Sequence, residues 1–297
     1  MMPGSIAFDV DGTITRRNGT IGAGMARLFR ELMREGWRLV ALTGQALENV
    51  RPRVLEPVRA VSEDAFEMSV YTCEGARLWS FGPDGPSAVF SPRWFSSSER
   101  EDLSARTAAM LADLAASSGA RVLEKPVWWE ESLLVFKVGP ETLDRGALVQ
   151  QIAVRLDVGR CGLRVGAAGR TTIVITRSLV HKGRALREIR HTTPAGAPVL
   201  YLADEFTLPG NDRVALDVRG IFCVSVGETL ADPRIMAQPG LGPRGAFRFL
   251  SALARSTRKS SVQIDLQADS SVIPSSEGAQ WRQVWHLRRP PSHAPEG

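Results

Sequence analysis

The stretch "SIAFDVDGT" (residues 5–13) ends a short apolar run on two carboxylates, a glycine and a threonine. An apolar run of this length suits a strand buried on both faces, as in a parallel sheet. Asp9 and Asp11 lie two positions apart, so in an extended chain they face the same side. Like charges held that close disfavour each other's ionisation unless a cation or donors compensate. Gly12 permits a sharp exit with close backbone approach, and Thr13 adds a hydroxyl. Taken alone, the pattern is better explained as an acidic turn after a strand. A calcium loop would want Gly at its sixth position, where this chain has Ile14.

Working outward, residues 20–35 place Ile21, Met25, Leu28, Phe29, Leu32 and Met33 at helical spacing before Gly36, and "WRLVALTG" (37–44) reads as the next parallel strand. This βαβ unit predicts an α/β fold with a doubly wound, Rossmann-like parallel-sheet core. The core returns late: "GRALREIR" (183–190) is helical, while "PVLYLAD" (198–204) and "GIFCVSVG" (220–227) read as strands. Between them the texture changes. "SSSEREDLSARTAAMLADLAASSG" (96–119) and "ETLDRGALVQQIAVRLDV" (141–158) are helical, "VWWEESLLVFKV" (127–138) is strand-like, and "GLRVGAAGRTTIVIT" (162–176) has the pattern of a hairpin. These elements predict an inserted α+β cap domain, an antiparallel sheet backed by two helices. The expected organisation is core over 1–79, cap over 80–179 and core again over 180–254. A Ser- and Pro-rich tail over 255–297 is expected to be disordered.

Ligands of open α/β sheets bind beyond the carboxyl ends of the strands, so strand-end residues are the ones to collect. Thr43 and Gly44 end the second strand; Thr-Gly there usually just makes a turn, but the hydroxyl would sit beside Asp9 and could donate to an anion. Lys182 enters the first turn of a helix, where the macrodipole disfavours a cation. An anion bound at that terminus would make sense of the lysine, although exposure at a frayed end would too. Asp204, Glu205, Asn211 and Asp212 supply hard oxygen ligands in one loop, which Pro209-Gly210 bends back. Carboxylates without His or Cys suit Mg²⁺ rather than a transition metal, though a solvated turn explains the loop alone. An acidic pair, a hydroxyl, a lysine and an acidic loop that all reach one crevice predict a Mg²⁺ and phosphate site.

Composition narrows the class. The 297 residues, 43% hydrophobic and 23% charged, suffice for a substantial core and a second unit. The formal charge of +5 comes from Lys and Arg spread along the chain. That suits a small anionic molecule and gives no nucleic-acid arm. Cys73, Cys161 and Cys223 stand far apart, which argues against zinc or a disulfide framework. No run reaches the ~18 apolar residues of a membrane span, and the N-terminus has no charged leader before an apolar stretch. A cytoplasmic protein without membrane or nucleic-acid partners is expected.

"DVDGT", "LTG", "HKGRAL" and "ADEFTLPGND", in that order, resemble the four motifs of the haloacid dehalogenase superfamily. The branch is the one with a C2-type cap, IIB-like, inserted between the second and third motifs; the resemblance covers about residues 5–250. It implies that Asp9 is the nucleophile forming an aspartyl-phosphate and Asp11 the general acid and base. It further implies that Thr43, Gly44 and Lys182 hold phosphoryl oxygens. Asp204, with Asp212 or Asn211, would complete a Mg²⁺ site with Asp9 and the backbone carbonyl of Asp11. The chain departs from the family in having Ala203 where Gly usually precedes the fourth-motif Asp. Its "PGND" is similar to phosphomannomutases, whereas "HKGRAL" and "PRGAFRFLSAL" (243–253) are similar to trehalose-phosphate and related sugar-phosphate phosphatases. The expected function is Mg²⁺-dependent hydrolysis of a small sugar or sugar-like phosphomonoester. The alternatives are a phosphosugar mutase, a phospho-accepting signalling domain and a non-catalytic anion-binding relic. On the cap, Trp128, Trp129, Glu130 and Lys137 could face a sugar, but strand alternation sends the two tryptophans to opposite faces.

Overall fold

In this computed structural model the described residues are 4–16, 18–82, 84–90, 95–118, 120–140, 144–168, 171–207, 210–228, 232, 234–257, 261–263 and 286–288. The chain opens with β1 (Gly4–Phe8), α1 (Ala23–Arg34) and β2 (Trp37–Leu42). A helical stretch follows as α2 (Leu47–Val50), a wide turn (Arg51–Leu55) and α3 (Glu56–Ala60), leading to β3 (Met68–Thr72), β4 (Arg77–Gly82) and β5 (Gly85–Phe90). Next come α4 (Ser97–Ser118), β6 (Arg121–Trp129), β7 (Leu133–Gly139), α5 (Arg145–Arg155), α6 (Val158–Cys161), β8 (Leu163–Ala168) and β9 (Thr172–Arg177). The remaining elements are α7 (Lys182–Thr192), β10 (Val199–Ala203), β11 (Ile221–Ser225), β12 (Ile235–Ala237), α8 (Gly242–Thr257), β13 (Ser261–Gln263) and β14 (His286–Arg288).

An eight-stranded sheet runs β12-β11-β10-β1-β2-β3-β4-β5, parallel from β12 through β3 and antiparallel over the last two strands. Its central strands are buried on both faces, which is why they read as continuous apolar runs. One face packs Ile6, Phe8, Leu200 and Leu202 against α1 and α8; the other packs Ala7, Val40, Tyr201 and Ala203 against Ala185, Leu186 and Ile189 of α7. Period-2 alternation therefore serves two cores at once. A second, antiparallel sheet of order β6-β7-β9-β8 packs on α4 and α5 through Leu103, Met110, Leu114, Leu134, Phe136 and Ile152.

Three boundaries differ from expectation. Residues 80–90, expected in the cap, belong to β4 and β5, which extend the large sheet beyond β3 instead and bury Phe81 on Phe66. The stretch 127–138 is two strands rather than one. Glu130 and Glu131 take left-handed backbone, φ 48° and 61°, to turn the chain without the Gly or Asn that announces such a turn. Helix α8 continues past residue 254 to Thr257, whose hydroxyl accepts from Trp37 Nε1 at 3.1 Å. Beyond it, β13 and β14 pair antiparallel; the rest of the expected tail lies outside the described residues. Among the described residues no helix is long and apolar enough to cross a membrane.

Candidate active site

Register assembles the site. Phe8 pairs with Ala41 on one side and Leu202 on the other, so the residues just beyond are Asp9, then Thr43 and Asp204, all past the same sheet edge. Asp9 donates its amide to Leu202 O at 2.9 Å, extending the β1–β10 ladder by one bond and holding the carboxylate at the strand mouth. Helix α7 begins at Lys182, and its buried ammonium donates at 2.7 Å to both Asp9 Oδ1 and Asp212 Oδ1.

The acidic loop does bring its carboxylates together. Ligand oxygens of Asp9, Asp204 and Asp212 all lie within 4.8 Å of one another. Asp212 is wholly buried; its Oδ1 also accepts Tyr201 Oη at 2.5 Å, and its Oδ2 accepts the Glu205 amide at 3.2 Å, which closes the loop on itself. Thr13 Oγ1 donates to Asp204 Oδ1 at 3.1 Å. Gly12 has φ +83°, and a β-carbon there would stand 2.1 Å from Asp204 Oδ2, so the first-strand turn and the acidic loop meet only through glycine. Ala203 is accommodated, its methyl packing in the α7-side core.

Three carboxylates face one lysine, which leaves the cluster with an excess of negative charge. Burial, then Asp212 and Glu205, pushes the Asp204 carboxyl up to about 7. Burial also raises Asp9 well above the ordinary carboxylate range, Lys182 pulling against it and Asp212 and Asp204 adding to it. Burial by itself would lower Lys182, yet Asp212 and Asp9 outweigh it and hold the ammonium charged. Hard oxygens gathered in this way are the type of donor that divalent cations such as Mg²⁺ take.

The other expected residues have partners of their own. The Asp11 side chain is not in the cluster: it is ion-paired to Arg53, and accepts from Gln45 Nε2 at 3.3 Å and from the Asn18 amide at 3.1 Å. Thr43 is buried, its hydroxyl accepting the Gln45 amide at 3.1 Å, and Gly44 lies against Glu74. Asn211 donates Nδ2 to Glu74 Oε1 at 2.9 Å. Pro209 lies outside the described residues. Trp128 donates to Ser104 Oγ at 2.9 Å and stacks edgewise on Phe95, while Trp129 packs among Ala46, Cys73 and Leu133, so both serve packing. Lys137 pairs with Glu124 at 2.6 Å. Glu130 reaches from the β6–β7 turn to the core, accepting from the Leu47 amide at 2.7 Å and Thr72 Oγ1 at 2.8 Å.

Sequence reasoning missed Tyr201, Arg53, Gln45 and Glu74. Tyr201 carried a signal: a tyrosine inside a fully buried strand needs a partner for its hydroxyl, and Asp212 is that partner. Arg53 carried none. A cavity of about 410 Å³ opens beside the cluster, lined by Gly12, Asp204, Glu205 and Glu228 with Arg145 from the start of α5. A larger one, about 610 Å³, lies along residues 59–66 and contains none of these groups.

No protein-family profile and no curated protein matches this sequence. Solved structures do. The chain is similar to a sucrose-phosphatase from Synechocystis in complex with sucrose and phosphate (TM-score 0.54, 16% identity, 86% of this chain and 98% of that one). It is also similar to a haloacid dehalogenase-like hydrolase from B. subtilis (0.57, 14%, 83% and 98%). A third match is trehalose-6-phosphate phosphatase from Aspergillus fumigatus (0.55, 14%, 85% and 92%).

Proposed function

The chain has the haloacid dehalogenase-type fold, a Rossmann-like core with a cap, and from that premise we propose that it is a Mg²⁺-dependent phosphatase acting on a small phosphomonoester. The observation that carries this is the convergence of buried Asp9 and Asp212 with half-buried Asp204, Lys182 bridging the first two. The residues fit Mg²⁺: the donors are hard oxygens, three carboxyl groups share one lysine, and Gly12 leaves room where a β-carbon would fill it. Asp9, Asp204 and Asp212 would hold the ion, with Asn211 and the Asp11 carbonyl as further donors. When bound, the ion supplies positive charge at the phosphoryl oxygens.

The chain's own groups supply the rest. Asp9, at the mouth of β1, attacks phosphorus; the bond to the ester oxygen breaks, and a proton from Asp11 leaves with that oxygen. Asp11 then takes a proton from the water that hydrolyses the aspartyl-phosphate, which regenerates Asp9. To do either, Asp11 must exchange its Arg53 contact for the reacting oxygen. Lys182 and Thr43 stabilise phosphoryl oxygens as charge moves onto them. The sucrose-phosphatase and trehalose-6-phosphate phosphatase likenesses support a sugar-type leaving group, and the cavity walled by Arg145, Glu205 and Glu228 supports a polar one. The test is release of inorganic phosphate from a panel of phosphorylated sugars, nucleotides and small acids, with and without Mg²⁺. Full activity in Asp9→Asn would refute the mechanism. Steady phosphate release also separates hydrolysis from a mutase, which returns the phosphoryl group to its sugar.

A further inference from the structure

Glu74 is costly where it sits. Its side chain is 1% exposed, its Oε2 is buried with no hydrogen-bond partner, and its backbone lies in the left-handed region at φ 62°, between Cys73 at 50° and Gly75 at 94°. A non-glycine residue in that conformation, carrying an unsatisfied buried oxygen, persists where the surroundings gain from it. What the kink does is visible. It follows β3 and turns the Glu74 side chain against the two loops that hold the expected phosphate and metal groups. Glu74 Oε1 lies 2.6 Å from where a β-carbon on Gly44 would stand, and the Glu74 amide donates to Thr43 O at 3.0 Å. On the other side the same Oε1 accepts Asn211 Nδ2 at 2.9 Å.

The chemistry of that last bond is one-sided. With Nδ2 donated to Glu74 Oε1, Oδ1 is left as the end of the Asn211 amide able to bind a hard cation. Without Glu74, the amide loses the acceptor that fixes Nδ2, and the cation has to orient the oxygen itself. Resting on the Mg²⁺ reading above, we propose that Glu74 is a positioning residue: it orients the Asn211 carboxamide so that its oxygen is presented to the ion, and it ties that loop to the Thr43–Gly44 turn. Partners of this kind fix a ligand's orientation without touching the metal.

The test is Mg²⁺ binding to the metal-free full chain by titration calorimetry, beside phosphate release. Glu74→Ala should weaken Mg²⁺ binding by roughly 10–100-fold, and Asn211→Ala should do the same. The double variant should be no worse than Asn211→Ala alone, because Glu74 acts on the ion only through Asn211. Glu74→Gln keeps an acceptor for Asn211 and should restore most of the affinity. Thermal melts of all four identify any variant that fails to fold; if Glu74→Ala does, Glu74→Gln beside Asn211→Ala still decides. Unchanged Mg²⁺ affinity in Glu74→Ala, or losses that simply add, overturns the role of Glu74 while the site reading stands. A wild-type chain that binds no Mg²⁺ overturns the site reading, and this inference with it.

Discussion

Lys182 and Asp9 stand 173 residues apart in sequence and 2.7 Å apart in the fold, Nζ donating to Oδ1. The lysine side chain is 1% exposed, and the Asp212 carboxylate beside it equally so. Breaking a buried pair from one side strands the other charge, which costs roughly 3–5 kcal/mol. Lys182→Met should therefore lower metal-free stability by about that amount. Because the remaining carboxylates then lack any cation, Mg²⁺ should raise the melting temperature of the variant more than that of the wild type. Urea unfolding with Mg²⁺ and with a chelator checks both; equal Mg²⁺ shifts would contradict the charge argument.

The Asp204 carboxyl gives this site a pH signature. It holds its proton up to about 7 in the fold, against an ordinary value of 3.8. As pH rises, the unfolded chain releases that proton first, so the contribution of Asp204 to stability falls between about 4 and 7 and is flat above. Mg²⁺ needs the ionised form, and its affinity should accordingly weaken as pH drops below about 7. Asp204→Asn should remove that part of the metal-free stability slope. Chemical unfolding across the range shows it, and an unaltered slope in the variant would assign the effect to other groups.

Gly12 is where the first turn touches the acidic loop. A side chain at Gly12 meets two penalties together: φ +83° and a β-carbon 2.1 Å from Asp204 Oδ2. Gly12→Ala should destabilise the chain by about 1–3 kcal/mol and weaken Mg²⁺ binding, because Asp204 has to move. A variant with normal metal affinity would show that the contact relaxes without cost.

Much of this arrangement was legible because strand ends concentrate it. Asp9, Thr43, Lys182 and Asp204 each follow or precede an element whose hydrophobic period is strong, and parallel pairing then leaves little choice about which edge they share. Glu74, Arg53 and the turn at Glu130–Glu131 were not legible, for a different reason. Their conformations are set by distant partners: Asn211 for Glu74, Asp11 for Arg53, and the Leu47 amide with Thr72 for Glu130. Local propensity at those positions points elsewhere, and tertiary contacts override it. The assignment of 80–90 to the cap failed similarly, since an edge hairpin reads the same whichever sheet it joins.

The Asp11 side chain lies outside the carboxylate cluster, which separates the role of its carboxyl group from metal binding. If it protonates the leaving oxygen, its importance depends on how badly that oxygen needs a proton. Asp11→Asn should slow hydrolysis of an alkyl or sugar phosphate by about 10²–10⁴-fold, but p-nitrophenyl phosphate, with its acidic leaving group, far less in the first step. Pre-steady-state phenol release resolves that step from hydrolysis of the intermediate. Equal losses on both substrates would remove Asp11 from the acid role.

Thr257 is buried, its hydroxyl accepting from Trp37 Nε1 at 3.1 Å and donating to Leu253 O at 2.9 Å, so the final turn of α8 is fastened to the start of β2. Truncation after Arg255 removes that hydroxyl and leaves the indole N–H buried without its acceptor, a loss of about 1–3 kcal/mol. Truncation after Thr257 keeps both bonds, and none of the site groups lies beyond it. The shorter chain should melt several degrees below the longer one, while the longer should retain phosphate release with unchanged KM. Equal melting temperatures would show that the Trp37–Thr257 contact contributes nothing, and lost turnover in the longer chain would place a functional group beyond residue 257.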